Sequence, residues 1–386
     1  MNVYLHQIAT HVPPNSAPQD ELAVRFGAWA QDPALARVIG HIFKKTGIRR
    51  RHSVLRDFTE PEHAELFRAD GPDQLQEAGT QARNRVYGRH AAPICVKIAR
   101  DLLEQSPQFT ASDITHVITV SCTGFVNPGP DWAIVNELGL HPTVERYNLG
   151  FMGCYAALPA LRMARQFCIA RPDAVVLIVC LELCSLHMQL RTTNDSILGN
   201  ALFSDGAAGA LVSARKPVEG QPTLALDGFM SAMAPEGGGE MAWEIGDRGF
   251  NLVLSSYVPD VISANLTRIV GDLLAPRELG TNDIDLWAIH PGGKSILDKA
   301  EKSLALQPEQ IEASRTVLQE FGNMSSATIL FVLKRMLDDP AAGSKTIAAM
   351  AFGPGLTVEC GLLRVMPASP ALREPTGELA LASEAL

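Results

Sequence analysis

Apolar runs and amphipathic stretches alternate along this chain. Residues 114–120, 174–181, 284–290 and 345–352 are near-continuous apolar runs. Each reads as a strand covered on both faces, which a parallel or mixed sheet between helical layers requires. Residues 1–13 predict an opening strand ended by Pro13-Pro14. Residues 18–45, 73–106 and 129–140 read as helices, and 54–72 as a polar loop. After Cys154, the segment LPALRMARQFCIA sets Leu158, Leu161 and Ala164 on one helical face. Further helices are expected before Leu304 and over SSATILFVLKRML, which follows Gly322-Asn323. Residues 197–212 predict a turn followed by a small-residue strand.

The pattern repeats. Leu138-Gly-Leu-His-Pro142 returns as Leu304-Ala-Leu-Gln-Pro308, Gly153-Cys154 as Gly322-Asn323, and the strand from Val175 as that from Lys345. The offsets are 166, 169 and 170 residues. Three landmarks in order at nearly one spacing indicate an internal duplication. Residues 213–223 are polar with two prolines, which divides the chain into halves 1–218 and 219–386. The fold class expected is α/β, two like halves about a pseudo-two-fold axis.

Composition adds limits. A chain of 386 residues exceeds one ordinary core, in line with two halves. The net charge of −9 argues against a broad nucleic-acid surface. No apolar run is long enough to span a bilayer, and the first residues lack the order of a signal peptide. Seven cysteines show no CxxC pair and no zinc spacing, so reduced thiols of a cytoplasmic protein and no metal site are expected. One basic cluster, residues 44–51, suits either the phosphates of a small anionic ligand or a solvated strand edge.

The candidate chemistry centres on Cys154. A thiol at a helix start, beside unpaired amide N–H groups, is expected to have a lowered pKa. The alternative is a small buried hydrophobe. Under the duplication, the Cys154 and Asn323 helices are equivalents, and His290 ends the strand equivalent to the one ending at Ser121-Cys122. Cys154, His290 and Asn323 then converge. A thiolate, an imidazole and an amide suit covalent acyl transfer with a stabilised carbonyl oxygen. The trio has no carboxylate to remove a carbon-bound proton, so a carbanion made by losing CO2 fits it best. Taken singly, His290 could be a satisfied strand-end histidine and Asn323 a helix cap.

Four motifs carry a resemblance: Gly-Cys-Tyr-Ala-Ala at Cys154, Trp-Ala-Ile-His-Pro-Gly-Gly at His290, Gly-Asn-Met-Ser-Ser-Ala at Asn323, and Phe-Gly-Pro-Gly-Leu-Thr-Val-Glu over 352–359. They resemble the thiolase superfamily, specifically the chalcone synthase-type (type III) polyketide synthases in a bacterial style, over residues 1–366. The resemblance implies a thiolase-like fold in αβαβα layers and a homodimeric acyltransferase. It implies no metal and no cofactor beyond coenzyme A thioesters. Cys154 would be loaded by an acyl-CoA starter. Malonyl-CoA would lose CO2 with help from His290 and Asn323 and attack the thioester. Repeated rounds and cyclisation would give a pyrone, resorcinol or related polyketide.

The same resemblance makes Phe203 a gatekeeper of the acyl cavity and Lys45 a coenzyme A phosphate contact, with His41 replacing a family arginine. Leu252 stands for a bulkier phenylalanine, which implies a roomier pocket. Cys122 replaces a plant threonine on the cavity wall, His187 lies on that wall, and Ser325 accompanies Asn323. Asn127 replaces a methionine that reaches the partner subunit. The alternatives are a ketoacyl synthase III-like single condensation or acyl transfer, and a non-catalytic partner subunit, which the presence of Cys154 disfavours. The tail, 367–386, is expected to be mobile or lightly docked.

Overall fold

A computed structural model describes residues 1–69, 75–339 and 343–366; the tail from 367 lies outside the described residues. Strand β1 (Tyr4–His11) opens the chain. Strands β2 (Asn15–Pro18) and β3 (Arg50–Ser53) pair around helices α1 (Gln19–Trp29) and α2 (Pro33–Lys45). The single helix expected over 18–45 is therefore two. Pro33 begins the second, and the Asp32 side chain caps it by accepting from Ala34 N at 2.8 Å. After the short pair β4 (Phe67–Ala69) and β5 (Leu75–Glu77) come the long α3 (Thr80–Glu104) and β6 (His116–Ser121). The first half continues through α4 (Pro130–Glu137), β7 (Glu145–Gly150), α5 (Ala157–Ala170), β8 (Val175–Leu183), α6 (Asn194–Leu202) and β9 (Asp205–Ser213).

Strand β10 (Thr223–Met233) begins the second half. A hairpin of β11 (Met241–Gly246) and β12 (Gly249–Leu254) follows, then α7 (Val258–Leu274) and β13 (Leu286–Ile289). Helices α8 (Lys294–Leu304), α9 (Glu312–Phe321) and α10 (Thr328–Leu337) lead to β14 (Thr346–Gly353) and β15 (Thr357–Met366).

The nine long strands join in the order β13-β14-β15-β10-β1-β9-β8-β6-β7. This order carries the duplication. Outward from the β1–β10 seam, each side runs antiparallel, antiparallel, then parallel: β1-β9-β8-β6 on one side, β10-β15-β14-β13 on the other. The seam itself is antiparallel, as a two-fold axis demands. Only β7 has no strand counterpart, because the chain before Gly322 forms α9 instead.

The layers follow from burial. Helices α5 and α10 share one apolar core with strands of both sheet halves; Leu161, Ala164, Ile178, Ile329, Val332 and Ala349 are all fully buried in it. A second core packs α3 on the outer face of the first half, and a third packs α7 and α8 on the outer face of the second. The result is helix, sheet, helix, sheet, helix. Ion pairs also tie the halves; the most buried of them has Arg162 on α5 donating to Glu359 on β15 at 2.8 Å. All seven cysteines are free thiols, and among the described residues no helix is long and apolar enough to cross a membrane.

Leu161 is buried between the two sheet halves, where a lost side chain cannot be refilled from solvent. Leu161→Ala should lower unfolding free energy by about 2–5 kcal/mol, as read by chemical denaturation.

Candidate active site

Strand β7 runs into Phe151, whose N–H donates to Ser121 O at 3.2 Å at the end of β6. The chain then turns at Gly153, whose φ is +86°. The close neighbour that demands glycine here is protein: a Cβ on Gly153 would lie 2.6 Å from Pro354 Cδ, and one on Gly353 would lie 2.4 Å from the Tyr155 ring. The glycine-proline-glycine segment thus buttresses the cysteine turn. Cys154 sits in that turn, before the first residue of α5, rather than within the helix. Nor is its pKa lowered: burial pushes the thiol up to about 11, partly countered by hydrogen bonds from Ser325 and Asn323. Desolvation outweighs the helix-end field that the sequence pattern suggests.

His290 follows β13, its N–H donating to Met350 O at 2.7 Å. Its side chain is buried, and both ring nitrogens lack a hydrogen-bond partner among the described residues. Burial drives its pKa down to about 3. Asn323 is fixed by its backbone, which bridges to Leu202 O at 3.0 Å and accepts from Ser204 N at 2.9 Å. Its Oδ1 accepts from Ser325 N at 2.9 Å and faces the Cys154 thiol at 4.0 Å, while Nδ2 donates to Gly292 O at 3.4 Å.

Cys154, His290 and Asn323 line one chamber with about 90 Å³ of free space. Cys122, His187, Phe203, Leu252 and Ser325 line it too, and its wall is largely apolar. Lys45 and Asn127 do not. Lys45 is exposed in the last turn of α2, and Asn127 lies in the exposed loop before α4.

Trp243 and Phe250 also line the chamber and escaped the sequence pattern, whereas His187 was expected on its wall. Trp243, on β11, donates from Nε1 to Cys122 O at 2.9 Å. His187 stacks on Phe250 at 3.9 Å between ring centroids. Its Nε2 donates to Thr123 O at 2.7 Å and its Nδ1 accepts from Phe250 N at 3.1 Å, so the ring is held neutral. Burial reinforces this, lowering its pKa to about 3. Behind the wall lies fully buried Glu182, which accepts from Cys122 N and Thr123 Oγ1 at 3.0 Å and from Ser326 Oγ at 2.5 Å. Cys122 Sγ is 3.3 Å from both Glu182 and Ser325 Oγ. Burial raises the Glu182 pKa against these donors. A carboxylate inside the apolar run of β8 was the available signal. The β11–β12 hairpin gave none, being neither strongly apolar nor cleanly alternating.

Ring-nitrogen NMR should therefore find His187 as one neutral Nε2–H tautomer from about pH 8 down to about pH 5. Its folded pKa lies below the unfolded value, so this residue's contribution to stability is present above about pH 6.5 and is lost as pH falls toward about 3.

Family models for the chalcone and stilbene synthases match nearly the whole described chain: the N-terminal domain over residues 2–216 and the C-terminal domain over 226–367. The alpha-pyrone synthesis polyketide synthase-like Pks18 of Mycobacterium tuberculosis is 32% identical over 359 residues, covering 91% of this chain and 88% of its own. Among solved structures, PKS-I from the brown alga Ectocarpus siliculosus superposes with a TM-score of 0.86 at 29% identity, covering 95% of this chain and 98% of that one. The C-terminal type III polyketide synthase domain of Steely1 from Dictyostelium gives 0.85 at 28% identity, over 94% and 99%.

Proposed function

The chain belongs to the chalcone and stilbene synthase family, the type III polyketide synthases, and from that premise we propose that Cys154 is the acyl acceptor of an iterative, decarboxylative condensation. Enzymes of this type are acyltransferases that use coenzyme A thioesters and need no cofactor. The observation that carries the reading is the meeting of Cys154, His290 and Asn323 in one chamber.

Burial penalises a lone thiolate and a lone imidazolium. Moving the thiol proton to His290 creates both charges together, and their attraction in a water-poor chamber offsets the two penalties. The thiolate attacks the starter thioester; the C–S bond to coenzyme A breaks as the new one to Cys154 forms, and His290 gives its proton to the departing coenzyme A thiolate. Acylation removes the negative charge, so His290 is again a neutral donor. Malonyl-CoA then loses CO2. Its enolate oxygen is held by a His290 ring N–H and by Asn323 Nδ2; its carbon bonds to the acyl carbonyl as the C–S bond to Cys154 breaks, which frees the Cys154 thiolate and leaves the extended chain on coenzyme A. Return of the product to Cys154 repeats the cycle. Closure of an enol oxygen onto the thioester releases a pyrone, the product class in the name of Pks18.

The finer assignments belong to the same proposal. Phe203, Leu252, Cys122, His187 and Ser325 shape the acyl cavity, and Lys45 with the exposed members of the 44–51 cluster meets coenzyme A phosphates at the surface; Arg51 is buried and donates to Phe203 O at 2.8 Å instead. The halves divide within 213–223. The enzyme is a cytoplasmic homodimer. Strand β7 is a sheet edge, an arrangement that invites edge-to-edge pairing. Exposed Phe125, Val126 and Trp132 flank it beside Asn127.

Incubation with acyl-CoA and malonyl-CoA tests the central reading; it fails if no starter yields CO2 and a cyclised product. Cys154→Ala should abolish the acyl adduct seen by mass spectrometry. Asn323→Ala should slow malonyl-CoA decarboxylation about 100-fold while affecting loading less, and His290→Ala should slow both steps, because the imidazole also takes the thiol proton. His290→Ala should also slow alkylation of Cys154 near neutral pH, because the group proposed to take the thiol proton is gone. Light scattering should give twice the chain mass, falling toward one chain in Trp132→Glu.

A further inference from the structure

The chamber has a neighbour. A second, smaller pocket lies between α1, α2 and the start of α6, with about 20 Å³ of free space. Its inner surface is formed by Phe26, Trp29, Ala30, Ile39 and Ile197, and its outer end reaches exposed Arg191 and Thr192. The two cavities share two lining residues, Gln189 and Asn200. These form a closed partition. Asn200 Nδ2 donates to Gln189 O at 2.6 Å, and Asn200 Oδ1 accepts from Gln189 N at 3.2 Å. The Gln189 side chain is tied in turn, donating to Phe250 O at 3.0 Å and Asn251 Oδ1 at 3.1 Å. Both residues are buried, so opening the partition would strip hydrogen bonds from groups out of reach of bulk water.

What lies behind the partition is aliphatic and aromatic. The side chains facing it offer no buried charge, and Gln189 and Asn200 already satisfy one another. The chemistry that fits there is a saturated hydrocarbon chain. We infer that the Asn200–Gln189 pair is the stop that sets starter length, and that the pocket behind it is an acyl-tail site held closed in the native enzyme. This rests on the reading of Cys154 as acyl acceptor.

Gly199, next to Asn200 on α6, supports the same boundary. A Cβ there would lie 2.8 Å from Leu252 Cδ2, so α6 and β12 already touch beside the partition. Asn200→Ser shortens the side chain that closes the partition and joins the two cavities. Ala30→Leu fills the rear pocket and touches nothing in the chamber.

The test measures kcat/KM for a series of straight-chain saturated acyl-CoA starters with malonyl-CoA. Asn200→Ser should raise the ratio of longer to shorter starters about tenfold, which is what burying about two more methylenes provides. Adding Ala30→Leu to Asn200→Ser should cancel the gain, and Ala30→Leu alone should leave the native profile unchanged. An unchanged profile in folded Asn200→Ser, or an altered one in Ala30→Leu alone, overturns the inference. A measurement on the native enzyme needs no variant. Acylation by a starter with a terminal diazirine, followed by photolysis and peptide mapping, should label the 188–200 segment. Label on Phe26 or Trp29 would show the partition open and overturn the inference. If the acyl reading itself is wrong, no starter adds mass to Cys154, an outcome separate from acylation with an unshifted profile.

Discussion

Helices α5 and α10 carry apolar side chains around most of their circumference, and this is the constraint from which the architecture follows. Eight residues of α10 are buried, from Thr328 to Leu337. A helix of that kind cannot lie on a surface; it needs cover on both sides. Here each sheet half supplies one side, and the two helices fill the layer between. Once they share that layer, the turns that lead into them approach each other. Cys154 precedes one helix and Asn323 the other, so packing of the apolar faces brings a thiol and an amide to one chamber.

The same burial sets the electrical character of the chamber. It raises the thiol of Cys154 and the carboxyl of Glu182, and it lowers the imidazoles of His187 and His290. A single charge is unfavourable anywhere near the site. The groups respond differently according to their partners. Glu182 accepts from four donor atoms and His187 is bonded at both nitrogens, so both are held in place. His290 has no such anchors at its ring, which leaves both nitrogens available to a substrate. Structural and reactive groups are therefore separable by hydrogen bonding, although burial shifts them alike.

Much of this was legible in the sequence because duplication is a long-range signal. The repeated landmarks predicted equivalent helices at Cys154 and Asn323, and the strand order bears out the symmetry. The apolar runs marked β6, β8, β13 and β14 because strands covered on both faces carry no polar alternation. Strand β7, with exposed positions alternating along a sheet edge, lacked that mark, and so did the β11–β12 hairpin. The thiol's titration departs from the sequence pattern for a different reason. A helix start is visible in sequence, whereas the depth of burial that overrides it depends on Pro354 and the opposing half.

The two-fold relation also explains why so few residues suffice. Four positions converge as two equivalent pairs: Cys154 with Asn323 before the central helices, and Cys122 with His290 after the equivalent strands β6 and β13. All four line the chamber. An ancestral symmetric site would have offered two copies of each function where one reaction centre has room for one. Divergence at these positions sets a thiol in one half opposite an amide in the other. The remaining asymmetry has the same logic at the surface. Helix α9 packs against β13 in one half, while β7 extends the sheet in the other and ends in an open edge.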